Sequence, residues 1–246
     1  MEWISVSDEI DSILEKLETD DPREGIEEAQ KYLEERETDA EEESTLIYGV
    51  AVGYFKLGSF QNTVQWLKET DDDRRWLLAG YAYRELEEFE KSAASFAKAA
   101  KVIDERNAEA RILQGQALIL AGETGEAREI FDDLINNEDN LGDDARAEVL
   151  LARGMVEMEE DTPRKAREWF DEIIQEHEET GFAGEAAFYS IQIHENIGQI
   201  DKALEYAQWL KDNGEESQWE EVAAQYLKRL HKHKRNREDK MRGYEY

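Results

Sequence analysis

Apolar residues recur at three- and four-residue steps along nearly the whole chain. Ile10, Ile13, Leu14 and Leu17 show this spacing near the N-terminus. Such a spacing is typical of an amphipathic helix. The 246 residues include only 2 prolines and 15 glycines, too few for a β fold with many strands and turns. The pattern therefore predicts an all-α protein.

Helix-start signals divide the chain into pairs of helices. Thr38 with Glu41 and Thr70 with Asp73 have the spacing of a capping box, and Thr162 before Pro163 resembles an N-cap followed by proline at the first helical position. We predict a final helix from about 217 towards 235, preceded by six pairs. The pairs are predicted at 6–18/22–36, 40–57/59–69, 73–86/89–103, 107–121/124–137, 143–160/163–178 and 182–197/200–212.

Small and aromatic residues recur in the same order in several pairs. Glycine inside a helix costs roughly 1 kcal/mol relative to alanine, so a repeated glycine indicates close packing between the two helices of a pair. We expect the aromatic residues to fill the space between successive pairs. The positions that carry the pattern are Trp76, Gly80, Tyr83, Phe89, Phe96 and Ala99, then Gly115, Ala127 and Phe131, then Gly154, Ala166 and Phe170.

This pattern resembles the tetratricopeptide repeat (TPR) family over about residues 38–212. The resemblance implies a TPR-like superhelical solenoid of about six antiparallel helix pairs with a C-terminal capping helix; a generic α-solenoid is the alternative. The repeat length varies from 29 to 39 residues rather than staying near about 34, and no unit ends in proline. We divide the chain into a divergent first pair (1–37), the repeats (38–212) and a capping helix with a basic tail (213–246).

The resemblance also implies that the first helix of each pair lines a concave groove that binds a partner protein. Aromatic and methionine side chains at these positions suit an amphipathic helix laid in the groove, although single members could instead belong to the core. The lysine–asparagine–arginine clamp with which one TPR subclass binds terminal carboxylates has no counterpart here. The predicted groove residues are Tyr48, Val52, Phe55, Tyr81, Arg84, Gln116, Ile119, Met155, Met158, Phe188, Gln192 and Glu195.

Charge is unevenly distributed along the chain. The net charge is −31, but residues 228–246 carry eight Lys/Arg and three Asp/Glu, which leaves −36 on the remainder. The acidic body repels polyanions and attracts basic partners, unless the acidity only provides solubility or salt adaptation. The tail could bind nucleic acid or anionic lipid, stabilise a solvated helix end, or pair with the acidic body of its own or a second copy. The tail cations are Lys228, Arg229, Lys232, Lys234, Arg235 and Arg237.

Catalytic and metal-binding patterns are not found in the sequence. There are no cysteines, the four histidines have neither ligand nor triad spacing, and no Gly-rich phosphate loop follows a strand. No signal or membrane-spanning segment is recognised, which makes the cytoplasm the expected location. We therefore expect a non-catalytic adaptor without metal or cofactor that binds an amphipathic helix or a basic segment. The alternatives are a self-assembling homo-oligomer and a nucleic-acid or membrane-surface binder that uses its tail.

Overall fold

The computed structural model describes residues 6–104, 107–137, 141–214 and 217–242, and within them thirteen helices and no strand. The all-α prediction is confirmed. None of the helices in these ranges is long and apolar enough to cross a membrane. The helices are α1 (Val6–Leu17), α2 (Arg23–Glu35), α3 (Ala40–Lys56), α4 (Phe60–Trp66), α5 (Arg75–Glu85), α6 (Phe89–Val102), α7 (Asn107–Ala121), α8 (Thr124–Asn137), α9 (Asp143–Glu159), α10 (Pro163–Glu176), α11 (Ala183–Asn196), α12 (Ile200–Asn213) and α13 (Ser217–Arg242).

The chain forms two compact units, Met1–Glu123 and Thr124–Tyr246. In unit 1, α6 packs against both α5 and α7; in unit 2, α9 packs on α10 and α12 on both α11 and α13. The unit boundary falls inside the predicted repeat region 38–212. The proposed divisions after residues 37 and 212 stay predictions, as does the number of six pairs.

Two of the predicted helix caps are wrong. Asp39 rather than Thr38 caps α3, because its carboxylate accepts hydrogen bonds from the Glu41 and Glu42 amides at 3.0 and 2.9 Å. Thr70 does not start a helix: its hydroxyl donates to the Ser44 carbonyl at 3.0 Å, and α5 begins only at Arg75.

The third cap is only partly right. Thr162 does precede α10, with Pro163 in its first turn, but its side chain makes no capping hydrogen bond. The Thr162 hydroxyl instead donates to the Glu157 carbonyl at 3.0 Å and to the Glu157 carboxylate. The residue therefore ties the end of α9 to the start of α10.

A left-handed residue follows each of five helices, α3, α5, α7, α9 and α11. The residue is Gly58, Glu87, Gly122, Asp161 or Gly198, with φ between 54° and 82°. In each turn the next amide donates to the carbonyl five residues earlier, at 2.8–2.9 Å. This is the Schellman motif, which satisfies carbonyls that a helix end leaves unpaired. The same turn geometry therefore occurs at all five positions, although the left-handed residue is glycine at only three of them.

The repeated glycines accept aromatic rings from the second helix of the same pair. A Cβ atom at Gly80 would lie 2.5 Å from the Phe96 ring, and one at Gly154 would lie 2.4 Å from the Phe170 ring. Both rings are fully buried. The prediction of close packing thus holds at these two glycines. The Phe96 and Phe170 rings fill space within a pair, whereas from the sequence we expected the aromatic residues to fill the space between successive pairs. Phe170 packs within its own pair and also against the next one, because its ring stacks on Tyr189 of α11 at 5.2 Å.

The other positions of the repeat pattern fall into two groups. Ala99, Ala127, Phe131 and Ala166 have no exposed surface, and Gly115 is buried. Trp76, Tyr83 and Phe89 are half-buried. The small residues and the rings of Phe96, Phe131 and Phe170 therefore form the core, while the remaining aromatics lie at its margin.

Candidate functional site

The predicted groove residues all lie on the first helices of pairs, and each is half-buried. Unit 1 carries seven of them, on α3, α5 and α7, and unit 2 carries five, on α9 and α11. A half-buried side chain is held by its neighbours and still presents surface to a ligand.

On α5, the position of Arg84 follows from three successive ring and backbone contacts. Gly80 leaves room for the Phe96 ring, and the Tyr81 ring meets Phe96 edge-on at 5.3 Å and 82°. The Arg84 guanidinium carbon lies 5.2 Å from the centre of the Tyr81 ring. Because Phe96 is fully buried, the tyrosine and the arginine rest on a rigid support.

On α3, the predicted residues pack on neighbouring helices of unit 1. Tyr48 packs against a small apolar cluster that includes Ala51 and Leu67, and the Arg74 guanidinium lies 4.4 Å from its ring centre. Phe55 contacts Phe60 of α4 edge-on at 5.4 Å. These rings extend the aromatic surface of unit 1.

In unit 2, helix α13 contacts two of the predicted groove residues. The ring of Phe188 lies 6.0 Å from that of Trp219 and 5.9 Å from that of Tyr226. Glu195 forms an ion pair with Arg229. These contacts use part of the α11 surface, which leaves Met155, Met158 and Gln192 as the members of the unit 2 set without a contact to α13 among those described here.

Three of the six predicted tail cations contact the body of unit 2. In addition to Arg229, Lys234 pairs with Asp201 at 2.6 Å and Arg237 donates to the Gly198 carbonyl at 3.4 Å. The hydrogen bond from Lys234 lowers the pKa of Asp201. Lys228, Lys232 and Arg235 are exposed. Of the interpretations offered for the tail, these contacts favour pairing with the acidic body of its own chain.

A buried charged cluster in unit 2 was not predicted. Arg153, 7% exposed, donates to Asp132 at 2.6 Å and to Glu157 at 2.7 Å. Burial raises the pKa of the Glu157 carboxyl, but hydrogen bonds from Thr162 and Arg153 outweigh burial and leave the pKa below its usual value. The cluster links α8, α9 and α10 through satisfied charges, which is a structural role.

A second polar cluster surrounds His194, which has no exposed surface. Its Nδ1 lies 2.8 Å from Gln199 Oε1, its ring stacks on Tyr206 at 5.3 Å, and its Nε2 has no hydrogen-bond partner in the part of the chain described. Tyr206 donates to Asp171 at 2.5 Å. Burial lowers the pKa of His194, and the Gln199 hydrogen bond opposes this only in part.

Comparisons with known proteins were made in sequence and in structure. No protein-family model matches the chain, and no curated protein matches it in sequence. The apo form of RapI superposes with a TM-score of 0.74 at 14% identity, over 92% of this chain and 75% of RapI. MamA from AMB-1 gives 0.54 at 15% identity, over 69% and 90% of the two chains. NprR, in complex with its cognate peptide NprX, gives 0.50 at 11% identity, over 89% and 69%.

All three are TPR-like helical repeat proteins. The fold is TPR-like. The family resemblance carried by the repeated glycines and aromatics is therefore confirmed at the level of the fold. The identities of 11–15% do not transfer the function or the binding residues of these proteins, so the groove residues of the TPR-like chain stay predictions.

A cleft between α4 and α5 was missed by the sequence analysis. It has a volume of about 330 Å³ and is lined by both apolar and charged residues. The Trp76 ring in its wall lies 4.7 Å from the Arg75 guanidinium and 4.0 Å from the Lys98 ammonium, measured to its centre. From the sequence, Trp76 and Tyr83 are assigned to packing alone. Their separation of seven residues on one helix is the signal for a shared face. The lining residues are Val64, Leu67, Lys68, Asp71, Arg75, Trp76, Ala79 and Tyr83.

No group of three or more histidine, aspartate or glutamate side chains in the described ranges is arranged to hold a metal ion.

Proposed function

We propose that this TPR-like protein is a non-catalytic interaction protein of the cytoplasm that binds a segment of another protein along the first-helix surfaces of its units. The observation that carries the proposal is the surface of α5, where Tyr81 and Arg84 are fixed by a buried ring yet remain partly exposed. Fixed aromatic and arginine side chains are the residues that most often dominate binding energy at protein interfaces. NprR, which has the same kind of fold, was solved with a bound peptide.

The chemistry of the two surfaces suits a segment with apolar anchors. Tyr48 and Phe55 in unit 1 offer rings, and Met155 and Met158 in unit 2 offer flexible thioethers that adapt to the shape of a ligand. The surrounding acidic body, with a net charge of −31 for the chain, increases the rate of encounter with basic partners.

The most unusual polar groups support a non-catalytic role. Glu157 is 1% exposed and His194 is fully buried. A general acid or base must come within hydrogen-bond distance of its substrate. These groups are enclosed by protein, so they are better explained as parts of the core.

Selection from a displayed random peptide library tests the proposal. We expect the wild-type chain to enrich peptides with apolar anchors, and the variant that combines Tyr81→Ala with Met155→Ala to bind them at least about tenfold more weakly, because each lost anchor is worth 1 kcal/mol or more. Tyr83→Ala is the matched control, since Tyr83 lies on the same helix but lines the α4–α5 cleft. Far-UV circular dichroism verifies that every variant keeps its helicity.

Two results count against the proposal. If the wild-type chain enriches no peptide, binding of a segment is rejected. If enriched peptides bind the double variant as tightly as the wild type, the assignment of the first-helix surfaces is rejected.

A further inference from the structure

Arg84 lacks the carboxylate partner that five other half-buried or buried arginines have. The chain contains 61 acidic residues against 30 Lys and Arg, so a half-buried arginine has many potential acidic partners. Arg84 has no carboxylate within ion-pair distance anywhere in the described ranges, although Glu85, Glu87 and Glu88 follow it directly. The five half-buried or buried arginines with a partner, each within 4.0 Å of an Asp or Glu oxygen, are Arg75, Arg128, Arg146, Arg153 and Arg167.

The neighbouring glutamates are directed elsewhere by the turn that ends α5. Glu87 adopts the left-handed conformation at φ 58°, which reverses the chain immediately after Arg84. Glu88 is the N-cap residue of α6 and pairs with Lys91 at 2.6 Å. Glu85 follows Arg84 directly on α5, and adjacent residues of a helix do not face each other. The turn and the pairing with Lys91 direct Glu87 and Glu88 away from the Arg84 guanidinium.

The guanidinium is held in place without a carboxylate. Its central carbon lies 5.2 Å from the centre of the Tyr81 ring, which in turn meets the buried Phe96 ring edge-on. An arginine stacked in this way keeps the N–H groups at its edge available, and their fork geometry matches both oxygens of a carboxylate. Its position in the last turn of α5 also favours a positive charge, but an exposed lysine would serve that purpose equally well.

We propose that Arg84, supported by Tyr81, binds an aspartate or glutamate side chain of the partner segment. This inference rests on the proposed function and names the chemistry of its ligand. The partner segment then carries an acidic residue beside the apolar side chain that contacts Tyr81, in spite of the acidity of the protein itself. Over long distances the acidic body favours basic segments, whereas at this one position the local charge selects an anion.

Peptide selection with substituted chains tests the specificity directly. The library is displayed with its peptide C-termini fused to the coat protein, so only side chains can supply carboxylates. We expect the wild type to enrich Asp or Glu at one position relative to an apolar residue, Arg84→Gln to lose that enrichment, and Arg84→Glu to select Lys or Arg there instead. Arg164→Gln is the matched control, because Arg164 is exposed and lies on α10 in unit 2.

The dissociation constant of a synthetic version of the most enriched peptide, with an amidated C-terminus, measures how much Arg84 contributes to binding. We expect Arg84→Gln to bind it about tenfold or more weakly, as the loss of a charge-assisted hydrogen bond implies. Changing its acidic residue to the amide should weaken binding to the wild type equally and leave binding to Arg84→Gln unchanged. If only the form with a free C-terminal carboxylate binds, the ligand is a chain terminus and the side-chain assignment is wrong.

The outcomes separate this inference from the proposed function. Enriched peptides without an acidic preference, or the same preference in Arg84→Gln as in the wild type, would overturn the role of Arg84 and leave segment binding intact. Absence of enrichment by the wild type would overturn both. If Arg84→Gln loses helicity, Arg84→Lys retains the charge at the helix end and should still show a weakened acidic preference; a preference as strong as that of the wild type would overturn the inference.

Discussion

Replacement of Gly154 by alanine is the sharpest test of the packing described above. The new Cβ atom would lie 2.4 Å from the Phe170 ring, whereas carbon atoms in contact are about 3.5–4.0 Å apart. The ring must therefore retreat by roughly 1 Å. It has little room to do so, because Phe170 is fully buried and stacks on Tyr189 at 5.2 Å.

Two effects of opposite sign determine the size of the change. Alanine favours the helix by about 1 kcal/mol relative to glycine. Overpacking a dense core costs about 1–3 kcal/mol, and the distance at Gly154 is so short that we expect the upper part of that range. The free energy of unfolding should fall by about 1–2 kcal/mol relative to the wild type.

Urea unfolding followed by far-UV circular dichroism measures this change, and hydrogen exchange locates it in α9 and α10. Gly125→Ala is the matched control: no atom lies within 4 Å of the added Cβ, so the same substitution should be neutral or stabilise by up to about 1 kcal/mol. Combining Gly154→Ala with Phe170→Leu should cost less than the sum of the single changes. A Gly154→Ala chain as stable as the wild type, or strictly additive effects, would refute the argument that the ring needs the glycine.

Three further predictions concern the turns and the buried polar groups. Glu87→Gly should stabilise the protein by up to about 1 kcal/mol and Gly198→Ala should destabilise it by about 1–2 kcal/mol, because both positions have φ above 50°; thermal and urea unfolding measure both. Glu157→Gln should lower the free energy of unfolding by about 2 kcal/mol, since it removes one charged partner of the buried Arg153 guanidinium and leaves Asp132 as the other, and an unchanged urea midpoint would contradict this. Because the pKa of His194 is lowered in the folded chain, protons bind the unfolded chain more tightly. The contribution of His194 to stability is therefore full above the unfolded pKa of about 6.5 and declines as the pH falls below it. Urea midpoints measured above and below this pH should show a smaller decline for His194→Gln than for the wild type, and the same decline for the exposed control His231→Gln as for the wild type.

The helices could be predicted from the sequence because apolar spacing is a local property. The predicted ranges 107–121 and 124–137 coincide with α7 and α8. The errors in the predicted helix ends arise where the apolar spacing stops. Helix α4 ends at Trp66 rather than near 69, since Leu67 is the last buried apolar residue before a polar stretch. Helix α13 continues to Arg242 rather than ending near 235, because Lys, Arg and Glu favour a helix without any apolar pattern.

The candidate site could be predicted only in part, because its members depend on contacts distant in sequence. The repeat pattern placed Tyr81 and Met155 on first helices, where the structure has them. It gave no indication that Phe188 would contact Trp219, 31 residues later, or that Arg153 would pair with Asp132, 21 residues earlier. Such partners follow from the packing of whole helices, which a local pattern does not encode.

Arg84 shows where the two kinds of information meet. Gly80, Tyr81 and Arg84 are neighbours in the sequence, and the separation of three residues between Tyr81 and Arg84 already places them on one helix face. Whether the guanidinium has a carboxylate partner depends instead on the left-handed turn at Glu87 and on the pairing of Glu88 with Lys91. In a chain with twice as many acidic as basic residues, composition alone favours a paired arginine. The unpaired state is therefore set by backbone geometry, and the same glycine and ring that define the repeat hold the arginine ready for an external anion.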